Sequence, residues 1–437
     1  MSLKSSLTNF WSAFRAEFWS SFNLGVSLAL CLVILTASTL PPAEAKDRAR
    51  SYTRQLEFDY VGWTVDALLV KLGQAALDAP RLLDQDEQKQ VVLTYIDLIR
   101  EIDSTEFEIE RIYADPKITD KPRALAPWQQ KLGELRERNA RLGPIAEQVM
   151  QGQIGAILEG LGLNLGGQTL PPTLYHVSPM PYALIISPRS VIRQENNISL
   201  LPDLTLDQMV ELEKQVEVNT DYSALVVPIG GIGTYPTMVM STSNLNWLPE
   251  VVAHEWIHNY LTLRPLGWNY ETSPQLRTMN ETTASLAGKE IGEALVRRFY
   301  PEIAPKPAPA VTPTPEMTKT ATPPTPEPVR FDFNKEMRIT RVGADQLLAE
   351  GKIEEAEAFM EARRQVFWEN GYLIRKLNQA YFAFHGAYAD VPGGGSAGSD
   401  PVGPAVVALR AQSASLAEFL NRISWMTSFE ALQAALQ

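Results

Sequence analysis

Apolar residues recur at three- and four-residue spacing from about 47 to 165, with charged residues between them and few glycines. The stretches "QVVLTYIDLIREI" (90–102) and "WQQKLGELRERNARLGPIAEQVM" (128–150) are typical. Such spacing is the period of an α-helix with one apolar face, so this region reads as helical. Nothing in it has the look of a site, and it is expected to pack on the rest of the chain. The pattern then changes. "YALIISPRSVI" (182–192) and "YSALVVPIGGIGTYPTMVMST" (222–242) are rich in β-branched and aromatic residues punctuated by Gly and Pro, which predicts two or three strands with turns. Between them "TLDQMVELEKQVEV" predicts a helix started by Thr205 or Asp207. Next, "STSNLNWLPEVVAHEWIHNYLTL" (241–263) carries Ser, Asn and Pro249 where a helix N-terminus takes caps and a first-turn proline, so a helix follows a strand. The expected fold class is α+β, mostly α-helical.

Residues 301–328 hold ten prolines with Ala and Thr between them. Proline removes a backbone donor and fixes φ, so this segment reads as an extended, solvated loop. Helical patterns resume from about 334 to 389, and a Gly-rich loop (392–403) and two short helical stretches close the chain. The proline segment could link two domains, but it is expected to be an insertion within one unit, because candidate site residues lie on both sides of it. The resulting division is 1–45, a helical 46–165, a core at 166–300, the insertion at 301–329, and a helical 330–437.

The first 45 residues need a separate account. An apolar run, "FNLGVSLALCLVILTASTL" (22–40), follows a segment with Lys4 and Arg15 and precedes Ala43 and Ala45, which fit a small-residue cleavage site. Phe10, Trp11, Phe14, Phe18, Trp19 and Phe22 recur at helical spacing ahead of it, as an interfacial anchor helix requires. Signal peptide and uncleaved membrane anchor both remain open, and both put the following residues outside the cytoplasm, secreted, periplasmic or tethered. The single cysteine, Cys31, lies in this run, so disulfides and thiolate metal sites are excluded elsewhere. With 39 basic against 51 acidic residues, a net charge of −12 and no basic cluster, nucleic acid is not an expected partner.

Candidate chemistry centres on "VVAHEWIHNY" (251–260) in a chain with four histidines. Positions four apart share a helix face, so His254 and His258 can aim their imidazoles at one point. Neutral imidazole suits Zn2+, and Glu255 beside the first ligand can face an open coordination position. A catalytic zinc needs a third protein ligand. Downstream, "RTMNETTASLAGKEIGEALVRRF" (277–299) offers Glu281 on a second helix whose same-face neighbours Ala284, Ser285 and Gly288 permit close approach. Glu271 and Glu290 are the alternatives, although Glu290 is about half a turn away in angle.

These residues resemble those of the gluzincin metallopeptidases, in which an H-E-x-x-H helix is followed by a helix carrying a glutamate ligand, often in an Asn-Glu pair. "HEWIH" and "NETTA" match that pattern with 22 residues between His258 and Glu281, slightly more than in the best known members. The resemblance spans about residues 220–300. It implies a zincin-like catalytic domain and a zinc-dependent peptidase, with Glu255 as general base towards a zinc-activated water and hydrolysis without a covalent intermediate. It also implies a strand along which an extended peptide or protein substrate binds, for which "GGIGTYPTMVMST", with Gly233, Thr234 and Tyr235, is the candidate. Members commonly add an oxyanion donor. In "LNQAYFAFHGAYAD" (377–390), Tyr381, His385 and Tyr388 sit at helical spacing with Asn378 a turn earlier, and His385 or Tyr388 is that candidate, against an aromatic packing face as the plain reading. His176 has no companion and reads as structural, and "EARRQVFW" as a solvated helix face. Two other functions remain in view: a catalytically silent, peptidase-like envelope scaffold, and a zinc hydrolase of a non-peptide amide.

Overall fold

The computed structural model describes residues 45–115, 117–164, 166–304, 331–386, 398 and 400–437. The expectations for the N-terminal apolar run, for most of the proline segment and for Tyr388 lie outside the described residues. Side-chain caps begin most helices, each satisfying backbone N–H groups that the first turn leaves open. After α1 (Ala45–Thr53), Asp59 caps α2 (Tyr60–Leu77), Asp84 closes a capping box with Glu87 at the head of α3 (Gln85–Ala114), and Asp120 caps α4 (Lys121–Gly160). Val92, Tyr95 and Ile99 of α3 join Val149, Met150, Ile154 and Leu158 of α4 in one apolar core.

Two three-stranded sheets follow. In the first, β1 (Tyr175–Val177) runs parallel to β6 (Thr237–Val239), whose other edge pairs antiparallel with β5 (Gly231–Ile232). The second orders β3 (Asn196–Leu200), β2 (Tyr182–Pro188) and β4 (Tyr222–Pro228), all antiparallel. Strands β2 and β4 are the apolar runs expected from composition. Strands β1 and β3 go unseen in the sequence because "YHV" and "NNISL" are too short or too polar to show alternation. Helix α5 (Leu206–Asn219) starts at Thr205, whose side chain and that of Gln208 form a capping box. Its buried Glu213 accepts from the Val226 N–H of β4 at 2.7 Å and from the Arg375 guanidinium, tying helix to sheet.

Helix α6 (Trp247–Thr262) carries the two-histidine motif; a single-turn α7 (Pro265–Trp268) leads to α8 (Pro274–Phe299), capped by Ser273. Helices α6 and α8 touch backbone to backbone. A Cβ on Gly288 would stand 2.9 Å from Glu250 O and His254 N, and one on Gly292 would stand 2.8 Å from Glu250 Cα, so only glycine permits this spacing.

Beyond the proline segment come α9 (Phe333–Ala349), α10 (Ile353–Glu369) and α11 (Gln379–His385), which Asn378 caps. Ala380 and Phe384 of α11 pack on Ala183, Ile185, Leu225 and Val227 of the second sheet. Three short helices, α12 (Val402–Gln412), α13 (Leu416–Ile423) and α14 (Phe429–Ala435), end the chain where two were expected, and all three join the core of α3, α4, α6 and α8. Contacts divide the chain into residues 1–51 and residues 52–437. The fold is α+β, mostly α-helical with small sheets. Among the described residues, no helix is long and apolar enough to cross a membrane.

Candidate metal centre

Because one helical turn separates them, His254 and His258 bring their Nε2 atoms to 3.1 Å. The close glycine-mediated contact of α8 carries Glu281 under both rings, with its Oε2 at 3.6 Å from each Nε2. A tetrahedral zinc with bonds near 2.0–2.1 Å holds its ligand atoms roughly 3.3 Å apart, so the triangle of 3.1, 3.6 and 3.6 Å has the size of three corners of that tetrahedron. The three residues form a cluster that can hold a metal ion.

A second observation tests the fit. Glu281 Oε2 is buried without a hydrogen-bond partner. An orphaned buried carboxylate oxygen is costly unless something positive completes it. The other oxygen, Oε1, accepts from the Tyr270 hydroxyl, which in turn accepts from Arg277 Nε at 3.3 Å. The carboxylate is thus clamped from one side and open on the side facing the imidazoles. Asn280 Oδ1 lies 2.8 Å from His258 Nδ1 while its Nδ2 donates to Leu266 O at 3.4 Å. That pairing assigns the proton to Nδ1 and leaves the Nε2 lone pair directed at the ligand point.

Charge follows the same arrangement. Burial alone would push Glu281 up, but the His258 and His254 rings hold it well below the usual carboxylate range. Burial pulls His258 down, and Glu281 more than reverses this, to about 9. Glu255 behaves oppositely: burial raises its carboxyl and Glu281 adds to that, against the lowering by both histidines. Its carboxylate packs under β5, where a Cβ on Gly231 would stand 2.6 Å from Oε1, so the bare Gly231 backbone leaves it room.

These groups wall a cavity of about 450 Å³, closed on other sides by Tyr60, Ser199, Ile232 and Phe384. A second cavity of about 390 Å³ shares Gly231, His254, Glu255 and Phe384 with it and is lined further by His385. Burial pulls His385 down to about 4, and its ring stacks at 4.3 Å on Tyr381. His385 thus borders the site next to Glu255, while Tyr388 lies outside the described residues. Residues after the proline segment close the site together with those before it, and Arg277 Nη1 donates to Ala383 O at 3.3 Å.

The expected substrate strand is shorter than the sequence suggests. Gly233, Thr234 and Tyr235 do not lie in a strand: β5 ends at Ile232 and the chain turns there, with Thr234 N–H donating to Ile232 O and Thr234 O taken by Asn259. Gly233 and Thr234 still line the cavity, and β5 is the edge strand of its sheet.

Among the alternative ligands, Glu290 pairs with Arg410 at 2.6 Å and Glu271 borders a different cavity. His176 joins a buried network around Glu147. Of the "EARR" pair, Arg364 bridges Glu361 on its own helix, whereas Arg363 is more than a solvated side chain, since it bonds Glu336 and Thr340 across α9. Asn280, Tyr270, Arg277 and Tyr60 escaped sequence reasoning as site residues. Only Asn280 left a signal, its adjacency to Glu281. Compared with protein-family models, with curated proteins and with solved structures, the chain finds no match.

Proposed function

We propose that the chain is a zinc-dependent peptidase of gluzincin type with a zincin-like core. The observation that carries this reading is the orphaned Glu281 Oε2 converging with two imidazole nitrogens at tetrahedral spacing, beside a carboxyl group that is not a member of the triangle. Two imidazoles and one carboxylate are a borderline-soft set that suits zinc over calcium or magnesium. When bound, zinc supplies Lewis acidity, making a water acidic enough to react near neutral pH and polarising a carbonyl.

The chain's own groups do the rest. Glu255, raised by burial, takes the proton of the attacking water and returns it to the departing amine. Asn280 fixes the tautomer of His258, and Tyr270 with Arg277 orients Glu281. The edge strand β5 accepts an extended peptide by β-augmentation at Gly231 across the cavity, and Ile229 and Phe384 provide apolar walls. His385 contributes a neutral imidazole N–H at the Glu255 end of the site, suited to a developing oxyanion. The N-terminal apolar run supports a location outside the cytoplasm for this chemistry.

Metal analysis of the purified full chain under chelator-free conditions should find about one zinc per chain, lost on His254→Ala, and turnover of a peptide library should depend on that zinc. Zinc retained with no turnover of any peptide, unchanged by Glu255→Gln, would turn the reading towards a silent scaffold. No zinc at all would end it.

A further inference from the structure

Helix α2 is inside out. Its residues Val61, Val65, Leu68, Leu69, Leu72 and Ala76 share one face within an arc of about 100°, and all of them are exposed, Val61 at 77%, Leu69 at 61% and Leu72 at 66%. Its opposite face carries Lys71 and Gln74, both buried, and Trp63, whose ring N–H donates to Ser178 Oγ at 3.0 Å. The inversion is fixed by Glu147 of α4, fully buried, which accepts from Lys71 Nζ at 2.6 Å and Gln74 Nε2 at 2.9 Å. An apolar helix face ordinarily turns inward. Here Lys71 and Gln74 are locked in the protein beside Trp63 and Ala67, and the apolar stripe is held out along about 22 Å of helix, continued by Leu77 and by Leu82 of the following turn at 83% exposure.

We propose that α2 docks the protein on a lipid bilayer, lying in the plane of the interface with this stripe in the acyl region. Three observations select lipid over a protein partner. The stripe is a line of exposed apolar side chains along one helix face, which a fluid apolar phase accommodates without a shaped pocket. The apolar run 22–40 precedes it in the chain, with fewer than twenty residues between that run and Phe58, whose N–H donates to Ser199 O of β3 at 3.0 Å. With Asp66 and Lys71 inside it, α2 is too polar to cross a membrane and suits lying on one. The consequence reaches the metal centre: Tyr60, the first residue of α2, lines the metal cavity with its hydroxyl on Ser199 Oγ at 2.7 Å. Docking therefore holds that cavity on the protein side of α2, one helix diameter of about 10 Å from the lipid. The docking itself is independent of the peptidase reading and is tested without turnover.

The test uses the full chain with Cys31→Ser, reconstituted in phosphatidylcholine vesicles, carrying a polarity-sensitive fluorophore on Leu69→Cys or, for comparison, on Val218→Cys, an exposed site of α5. An unchanged circular dichroism spectrum and denaturant midpoint certify folding. The Leu69 probe should shift to the blue and be quenched several-fold more by lipid-borne nitroxide than by aqueous iodide, with the reverse at Val218. A Leu69 probe open to iodide overturns the proposal, as does equal lipid quenching at both sites, which marks unoriented adsorption. Shielding from both quenchers, with a disulfide-linked dimer forming through Leu69→Cys, would assign the stripe to a second copy instead.

Discussion

Among the described residues, two buried clusters pair a glutamate with histidine, and they differ in one respect. Glu147 receives Lys71, Gln74, the His176 ring and the Val177 N–H at 2.9 Å, so its oxygens are satisfied by protein. Glu281 is as deeply buried, yet its Oε2 faces two imidazoles with no donor within hydrogen-bond reach. A complete donor set marks a structural anion, here the clamp that holds α2 in its inverted setting. An incomplete set beside directed nitrogen lone pairs marks a place for a cation.

The contrast can be broken at several points. The largest effect is expected at Glu255→Gln, which keeps size and zinc but removes the base: peptide turnover should fall about 10²–10⁴-fold at unchanged zinc stoichiometry, measured by initial rates and metal analysis. Next, Glu147→Ala strands the Lys71 charge and should cost about 3–5 kcal/mol in denaturant unfolding while leaving zinc bound in the folded fraction. Zinc lost from the folded Glu147 variant, or kept in Glu281→Ala, would erase the distinction between the clusters.

Acid sharpens it further. Burial alone would raise Glu147, but His176 and Lys71 overcome this and lower it to about 2. A carboxylate depressed in the fold contributes stability above its unfolded value and loses it as pH falls towards the folded one. About 3 kcal/mol should therefore disappear between roughly pH 4.5 and pH 2 in the parent and be missing from Glu147→Ala. Lys71, lowered by its own burial, opposes the clamp energetically. Smaller effects come from the supporting residues. Asn280→Ala should weaken zinc about 10–100-fold by competition with a chelator. Gly288→Ala, which forces a Cβ against the His254 backbone, should cost about 1–3 kcal/mol and loosen zinc with it.

The sites were unequally legible. His254, Glu255 and His258 share a face because of the helical period, so their relation is local and readable. Glu281 was reachable through the small residues that follow it, and Gly288 does meet the His254 backbone. Tyr270 comes to Glu281 only through the turn at α7, and Phe384 and His385 only through the return of α11 to the second sheet, pairings more than a hundred residues from the motif. The strand expected through Gly233–Tyr235 failed because a turn closed by its own backbone outweighed β propensity there.

By itself, the sequence determined what periodicity and capping control: helix-rich regions around a few apolar strands, and two imidazoles one turn apart with a carboxylate between them. Only the tertiary structure decided which acidic side chains are satisfied and which is left open, because donors are supplied by residues distant in sequence. The tertiary fold also decided which face of α2 meets the protein, since one buried anion on another helix outweighs the apolar stripe that the pattern alone would turn inward.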